Sequence, residues 1–216
     1  GDWSSDVCSS DLGANTNEGR AFVYHGSATG ISAVPSNTQD DANQAGACFG
    51  VAVSSAGDVN GDGYNDVIIG AYLYDDGANT DEGRAFIYHG SATGLSAAPS
   101  NIQDDSNQGF ANFGSSVGTA GDVNGDGYSD VIIGAFMFDD GANVDEGRAF
   151  VYHGSATGLA ATPSNTQDDA NQAGANFGYS VATAGDVNSD GYSDVIIGAN
   201  NYDDGADRKS TRLNSS

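Results

Sequence analysis

Positively charged residues are scarce in this chain of 216 residues. Six Lys and Arg stand against 30 Asp and Glu, which gives a formal net charge of −24 at pH 7. Nucleic acids and anionic membrane surfaces are bound through basic patches, so this balance argues against both as partners. The acidic excess is compatible with cation binding, or simply with a highly soluble surface.

Cysteine and long apolar runs are also scarce. The two cysteines are Cys8 and Cys48, and the repeat described below has Asn112 and Asn176 at the positions equivalent to Cys48. We therefore expect no internal disulfide. No apolar run approaches 18 residues, so the sequence predicts no transmembrane helix and no membrane insertion. A helical period is lacking too, and 32 glycines disfavour helices.

What the chain has in abundance is internal repetition, with a period of 64 residues. Self-similarity at a fixed period is typical of solenoids, propellers and arrays. The period divides the chain into three repeats, at residues 13–76, 77–140 and 141–204.

The repetition stops abruptly at both ends. Residues 1–12 and 207–216 depart from it and resemble a translated sequencing adapter, one end read from a short DNA and the other from its reverse complement. We expect both segments to be non-native. We expect residues 13–206 to be natural polypeptide from within a longer protein, whose remaining repeats are then partners of these three.

Each repeat carries the signals of four short strands. Residues 113–121 are rich in small residues and predict a strand packed closely against others. Residues 130–135 form a short β-branched apolar run, typical of a strand buried on both faces. A third strand is predicted over residues 148–153 and a weak fourth around residues 164–168. Four short strands per repeat indicate a β-propeller blade.

An Asp-rich loop follows the first strand of every repeat. Its first copy reads Asp58-Val-Asn-Gly-Asp-Gly-Tyr-Asn-Asp66. Side-chain oxygens at positions 1, 3, 5 and 9 and a backbone carbonyl at position 7 suit calcium, which takes six to eight oxygen ligands. Zinc and copper prefer nitrogen or sulfur. We expect about one calcium ion per repeat, held by Asp58, Asn60, Asp62, Tyr64 and Asp66, by Asp122, Asn124, Asp126, Tyr128 and Asp130, and by Asp186, Asn188, Asp190, Tyr192 and Asp194.

This loop has two other interpretations. An EF-hand loop needs an acid at position 12 and a following helix, but position 12 is Ile69, Ile133 or Ile197 in a strand-like run. The EF-hand is therefore excluded. In the other interpretation, the Asp and Asn side chains only make Asx turns. The five polar positions in register favour calcium binding over Asx turns alone. We expect the calcium to have a structural role, holding the loop between two strands.

The other polar clusters also repeat with the 64-residue period, and a single active site would normally break such a symmetry. We therefore expect no catalytic residue and no enzyme, although abundant acids leave glycosidase-like acid pairs open. For the paired acids, solvated turns are favoured over a second cation site. For the arginines, ion pairs with nearby acids are favoured over anion binding. The histidines lack the second His or Cys of a zinc site. These clusters are Asp75-Asp76, Asp139-Asp140 and Asp203-Asp204; Arg20, Arg84 and Arg148; and His25, His89 and His153.

Short motifs flank the loop in every copy. Phe113-Gly114 precedes the second loop and Gly134-Ala135-Phe136 follows it, an arrangement that resembles the FG-GAP repeat of integrin alpha subunits and their bacterial relatives. The third position of the second motif departs from the proline of the family. The other copies are Phe49-Gly50 with Gly70-Ala71-Tyr72, and Phe177-Gly178 with Gly198-Ala199-Asn200.

The resemblance implies an all-β fold of FG-GAP-type β-propeller blades. About three four-stranded blade equivalents would form an incomplete propeller, because the ring of this family usually has seven. It also implies a calcium-binding segment of a secreted or cell-surface, extracellular protein that acts in adhesion or ligand binding, with a protein or carbohydrate as its surface ligand. Two alternatives stay open: an accessory propeller domain of an extracellular hydrolase, and a purely structural surface repeat.

Overall fold

The computed structural model describes residues 17–40, 44–104, 108–168 and 172–203. These residues form strands and turns, and none of them belongs to a helix that could cross a membrane. The strands are β1 (Ala21–Val23), β2 (Gly26–Ser27), β3 (Gly30–Ile31), β4 (Asn37–Gln39), β5 (Ala52–Gly57), β6 (Asp66–Ala71), β7 (Arg84–Tyr88), β8 (Asn101–Gln103), β9 (Phe113–Gly121), β10 (Asp130–Ala135), β11 (Arg148–Tyr152), β12 (Asn165–Gln167), β13 (Phe177–Gly185) and β14 (Asp194–Ala199).

Two sheets contain four strands each, in an antiparallel order that follows the chain. Strands β5 to β8 form the first blade, and strands β9 to β12 form the second blade. The strands predicted at residues 113–121 and 130–135 are confirmed with those bounds as β9 and β10. The third predicted strand ends one residue early, at Tyr152, and the weak fourth is β12.

A two-stranded sheet stands on either side of these blades. The N-terminal strand pair consists of β1 and β4, which are separated in the chain by the short β2–β3 hairpin, and the C-terminal strand pair consists of β13 and β14. In the repeat, β1 and β4 correspond to the third and fourth strands of a blade, and β13 and β14 to its first and second. The fold is therefore all-β, with blades of an incomplete propeller as the sequence predicts.

The second strand of each blade lies between two neighbours. In the second blade, Ile132 of β10 pairs with Gly118 of β9 on one side and with Val151 of β11 on the other. All residues of β10 are buried, which confirms the expectation of a strand covered on both faces.

Glycines of the flanking motifs allow consecutive blades to approach each other. Gly70, near the end of β6, lies against Gly114 near the start of β9, and a Cβ at Gly70 would overlap the Gly114 carbonyl. Gly134 and Gly178 repeat this contact between the second blade and the C-terminal strand pair. Only glycine permits so close an approach of two backbones. The Phe-Gly and Gly-Ala motifs thus mark the junctions between blades.

The hydrophobic core extends through each blade and across the junctions between blades. The largest cluster of buried side chains contains both Ile68 of the first blade and Phe113 of the second. Phe113 packs edge to face on Phe150, with 5.3 Å between the ring centroids. Phe49 makes the same contact with Phe86, also at 5.3 Å. Each blade therefore depends on its neighbour for stability, as in other repeat proteins.

Candidate metal loops

The three Asp-rich loops connect the first strand of a blade to the second. They occupy residues 58–65 between β5 and β6, residues 122–129 between β9 and β10, and residues 186–193 between β13 and β14. Because the three strand pairs are equivalent, all three loops lie at the same end of the blades. The Phe-Gly and Gly-Ala motifs lie at the opposite end.

The carboxylate at position 1 organises the backbone of the loop. In the first copy, Asp58 accepts hydrogen bonds on Oδ1 from the backbone N–H groups of Gly61 at 2.7 Å and Asp62 at 3.1 Å. Its Oδ2 accepts the N–H of Gly63 at 2.8 Å. Asp122 has the same partners in the second loop, namely Gly125, Asp126 and Gly127.

The side chains at positions 3 and 5 close Asx turns within the loop. Asn60 Oδ1 accepts the N–H of Asp62 at 3.0 Å, and Asp62 Oδ1 accepts the N–H of Tyr64 at 2.9 Å. The Asn60 amide donates to Asp62 Oδ2 at 3.0 Å. The hydrogen bond from the Tyr64 backbone N–H, and then the one from the Asn60 side-chain amide, lower the pKa of the Asp62 carboxyl. The Asx turns considered from the sequence are thus present.

The carboxylate at position 9 is buried and ties the loop to another part of its blade. Asp66 Oδ2 accepts the N–H of Val59 at 2.9 Å, and Oδ1 accepts the N–H of Gly90, just beyond β7, at 2.8 Å. Asp130 bonds Val123 and Gly154 in the same way. Burial raises the pKa of both carboxyls, against the effect of these backbone bonds.

Neighbouring loops are joined by a serine at position 8. The N–H of Asp58 donates to Ser129 Oγ at 3.1 Å, and the N–H of Ser129 donates to the Asp58 carbonyl at 2.9 Å. Asp122 and Ser193 repeat the exchange at 3.2 and 2.9 Å. This contact between loops was not predicted from the sequence. Its signal was a small polar residue at position 8 of every copy, with Asn65 in the first.

The tyrosine at position 7 adds a second contact between loops. The Tyr128 ring lies against Gly61 of the preceding loop, so closely that a Cβ at Gly61 would stand 2.6 Å from Cε1 of the ring. Tyr192 lies on Gly125 in the same way. In the third loop the equivalent of Gly61 is Ser189, which holds a φ of 61°. The side chain of position 7 therefore packs between blades, whereas its backbone carbonyl was the predicted metal ligand.

Each loop carries the five oxygen donors that the sequence predicted. Within the described parts of the chain, no three Asp, Glu, His or Cys side chains converge as a preformed metal site. The loop carboxylates face backbone N–H groups instead. The donor set of each loop nevertheless fits a hard cation: three carboxylates, one amide oxygen and one backbone carbonyl, without nitrogen or sulfur. Calcium binding stays a prediction.

The arginines of the repeat are engaged in ion pairs, as expected. Arg84 lies 3.0 Å from Asp76, and Arg148 lies 3.1 Å from Asp140, nitrogen to oxygen. Arg20 lies 3.0 Å from Asp40. The acidic pairs form turns: Asp75 accepts the N–H of Asp81, and Asp139 that of Asp145, at 2.8 and 2.7 Å. Asp204 of the third pair lies outside the described residues.

A cavity opens at the end of the blades opposite the loops. It measures about 310 Å³ and is lined by Val51, Tyr72, Ser115, Phe136 and Tyr179. Phe136 and Tyr179 meet edge to face at 5.5 Å between ring centroids. Tyr72 and Phe136 occupy the position at which the sequence departs from the proline of the FG-GAP motif. These substitutions thus provide an aromatic lining at the junctions between blades.

Comparison with known proteins identifies the repeat. The FG-GAP repeat profile matches residues 49–88, 113–152 and 177–211, together more than half of the chain. The third match extends into the segment predicted to be adapter-derived.

Curated integrin alpha subunits are similar to most of the chain. Integrin alpha-V of Gallus gallus is 36% identical over 166 residues, which is 72% of this chain and 15% of the integrin. Integrin alpha-IIb of Mus musculus is 32% identical over 155 residues, 70% of this chain and 15% of the integrin. Integrin alpha-4 of Xenopus laevis is 34% identical over 161 residues, which is 71% of this chain and 14% of the integrin. The chain thus spans about 15% of the length of these relatives.

Proposed function

Because the chain belongs to the FG-GAP repeat family, we propose that it is a calcium-binding propeller segment of a secreted or cell-surface protein that acts in adhesion. The observation that carries the proposal is the row of three oxygen-lined loops at one end of consecutive blades, each joined to the next by a serine. Every polar cluster recurs with the blade, which supports a binding role rather than catalysis.

Each loop would hold one calcium ion through the donors at positions 1, 3, 5, 7 and 9. In the second loop these are the side chains of Asp122, Asn124, Asp126 and Asp130 and the carbonyl of Tyr128. Bound calcium would supply positive charge to carboxylates that accept hydrogen bonds from backbone N–H groups and, at Asp126, from the Asn124 amide.

Electrostatics favour such a cation. Burial raises the pKa of Asp130, so the charged form of this carboxyl is disfavoured in the absence of a cation. The chain also carries a formal charge of −24. Each bound calcium ion would add two positive charges and so weaken the repulsion among its carboxylates. The role of the ion is therefore structural: it would hold the turn between two strands and, through the serine, the neighbouring blade.

We propose that the adhesion partner docks at the end of the blades opposite the Asp-rich loops. Tyr179 and Val51 expose 52% and 46% of their surface beside the aromatic cavity. Aromatic side chains supply large contact area at little conformational cost and are enriched at the centres of interfaces. The proposed partner is a protein or carbohydrate outside the cell.

Calorimetric titration with calcium chloride, together with thermal unfolding in calcium and in EDTA, tests the metal assignment. We expect about three sites and a higher melting temperature in calcium, because a ligand of the native state stabilises it by mass action. Magnesium should be weaker, since it demands a tighter octahedral shell. Equal melting temperatures in calcium and EDTA, without binding heat, would contradict the assignment.

A matched pair of variants locates the sites. Asp126→Ala removes a loop carboxylate and should abolish one site of three. Asp140→Asn removes the same charge from an acid with a 51% exposed side chain, whose partner Arg148 retains Asp168, and should leave all sites intact. Equal losses in both variants would show a diffuse effect of net charge rather than sites in the loops.

Adhesion is tested separately with the immobilised chain against panels of carbohydrates and of extracellular proteins. We expect calcium-dependent binding to at least one member, weakened in Tyr72→Ala and Phe136→Ala but retained in Asp140→Asn. Absence of binding to both panels would reject adhesion while leaving the calcium sites in place.

A further inference from the structure

Two apolar side chains of the second repeat are exposed where the other repeats have small or polar residues. Phe110 is 62% exposed and stands where the other repeats have Gly46 and Gly174. Val144 is 58% exposed, and its equivalent in the first blade is Thr80. Neither side chain belongs to a core cluster or lines the aromatic cavity. Their exposure therefore has no explanation in the fold or in the sites described above.

Phe110 holds a backbone conformation that suits glycine. Its φ is 64°, in the same left-handed region as the 83° of Gly46 and the 75° of Gly174. The repeat imposes this conformation, because the Phe110 N–H donates to the Thr80 carbonyl at 2.8 Å. The Gly174 N–H donates to the Val144 carbonyl in the same way, at 2.9 Å. Left-handed backbone is unfavourable for a bulky side chain, so Phe110 destabilises the folded chain relative to glycine.

Packing within the chain does not offset this strain. A Cβ built at Gly46 or at Gly174 would meet no atom within 4 Å, so a side chain at this position points into open space. Residues in unfavourable backbone conformations cluster at functional sites, and exposed apolar groups that lie together mark interaction sites. The Phe110 side chain is therefore placed for contact with another molecule rather than for stability.

Phe110 and Val144 flank the same acidic turn of the second blade. The Gln108 side chain, two residues before Phe110, accepts the N–H of Asp139 at 2.6 Å and donates to its carbonyl at 3.0 Å. Asp145, next to Val144, donates its N–H to Asp139 Oδ1 at 2.7 Å. Both apolar residues thus stand within two residues of a partner of Asp139, and together they define the Phe110–Val144 surface.

Carboxylates form the rim of the Phe110–Val144 surface. Asp139 is exposed, and the side chain of Asp140 is 51% exposed. Arg148 does not cancel this charge, because it lies beside two acids. An apolar centre with an acidic rim is complementary to a protein surface that has an apolar centre and a basic rim. A second copy of this chain is not complementary, because each copy carries a charge of −24.

We propose that the Phe110–Val144 surface binds a basic protein segment in which large apolar side chains are flanked by lysines or arginines. The apolar side chains would lie against Phe110 and Val144, and the cations would face the acidic rim. Attraction of this kind chiefly speeds association, and salt screens it. The surface is separate from the aromatic cavity, so this binding goes beyond the proposed adhesion function and needs neither the cavity nor bound calcium.

Fluorescence anisotropy with three labelled peptides tests the chemistry of this partner. The first peptide has leucines and a tryptophan between flanking lysines, the second has serine at the apolar positions, and the third has glutamate in place of lysine. Each is titrated with the full chain in EDTA. We expect the first to bind about tenfold more tightly than either of the others, and more weakly as salt is added. Equal binding of the first two peptides would overturn the apolar contact, and binding of none would overturn the proposal.

Variants that restore the residues of the other repeats locate the contact. Phe110→Gly should weaken binding of the first peptide by about tenfold, yet raise the melting temperature by about 1–3 °C because it relieves the backbone strain. Val144→Thr should weaken binding by a smaller factor. The matched control is Val34→Thr, at a valine that is 68% exposed in another loop, and it should leave binding unchanged.

The opposite signs of the two effects separate a binding role from a structural one. A lower melting temperature of Phe110→Gly, or a loss of binding equal to that of the Val34→Thr control, would overturn the proposal. A dimer of the unchanged chain that is lost in Phe110→Gly, detected by sedimentation equilibrium, would assign the surface to a second copy instead. Tyr72→Ala should retain binding of the first peptide, so a failure of the proposed adhesion site is distinguishable from a failure here.

Discussion

Ser129 and Asp58 exchange two hydrogen bonds across the junction between the first and second blades, although they are 71 residues apart in the chain. One bond uses the serine hydroxyl, at 3.1 Å, and the other joins backbone groups, at 2.9 Å. The Asp58 carboxylate meanwhile organises its own loop. The same residue thus shapes one loop with its side chain and attaches the next loop with its backbone.

Replacement of Ser129 by Ala removes the hydroxyl bond and leaves the Asp58 N–H without that acceptor. We expect the free energy of unfolding to fall by about 0.5–1.5 kcal/mol, measured by urea denaturation in EDTA. The control is Ser32→Ala, which removes an exposed hydroxyl bond to Val34 within one turn. A loss no larger than that of the control would mean that the contact between loops contributes little.

Gly61 and Gly63 distinguish backbone strain from contact between blades. Both have a positive φ, 72° and 89°, but a Cβ at Gly61 would press on Tyr128, whereas one at Gly63 would meet nothing within 4 Å. We expect Gly63→Ala to cost about 1–2 kcal/mol from strain alone. Gly61→Ala should cost about 1–3 kcal/mol more, because of overpacking against the ring.

A double-mutant cycle isolates the second term. Combination of Gly61→Ala with Tyr128→Ala should recover part of the loss, whereas combination of Gly63→Ala with Tyr128→Ala should be additive. Additivity in both combinations would contradict the contact between Gly61 and the ring.

Cys48 stands at a left-handed position where the other two repeats have asparagine. Cys48 has a φ of 56°, and its equivalents Asn112 and Asn176 have 56° and 55°. Asparagine tolerates this conformation better than other side chains do, and the Asn112 amide also donates to the Asp81 carbonyl at 3.4 Å. We expect Cys48→Asn to stabilise the chain by about 1 kcal/mol, or about 2–4 °C in melting temperature. Cys48→Ala should give no such gain, and a gain shared by both variants would point to removal of the thiol instead.

Asp126 and Asp130 separate the proposed ligand role from the structural role within one loop. Both oxygens of buried Asp130 accept backbone N–H groups, so Asp130→Asn sets an amide N–H₂ against one of them and should cost about 1–3 kcal/mol in EDTA. Exposed Asp126→Asn retains an acceptor for Tyr128 and should leave stability in EDTA nearly unchanged. Both variants should lose the stabilisation that calcium gives the second loop.

The pH dependence provides a further check on Asp130. A carboxyl whose pKa is raised on folding binds protons more readily in the folded state, so its contribution to stability is present at low pH and is lost as pH rises through the folded pKa. In EDTA, the unchanged chain should therefore gain stability over Asp130→Asn as pH falls from that raised pKa toward 3.8. A constant difference in stability across this window would contradict the raised pKa of Asp130.

Local sequence predicted the strands well because their signals are local. Small residues in β9, the β-branched run in β10 and the Asp-rich loop between them each specify a backbone conformation within a few residues. The predicted bounds of β9 and β10 were therefore correct. The long-range partners of the first loop were not predicted, since Ser129 belongs to the loop of the next blade and Gly90 follows β7. Such contacts depend on how strands are stacked, which no local pattern encodes.

By itself, the sequence determined the period, the positions of the strands along each repeat and the donor set of each loop, because these follow from short-range spacing. Only the tertiary structure decided burial. Ile132 and Ile196 stand in identical strands, yet one is fully buried and the other is 61% exposed. The physical reason is that a blade is covered by its neighbours rather than by itself, so the environment of each copy is set by whatever packs beside it.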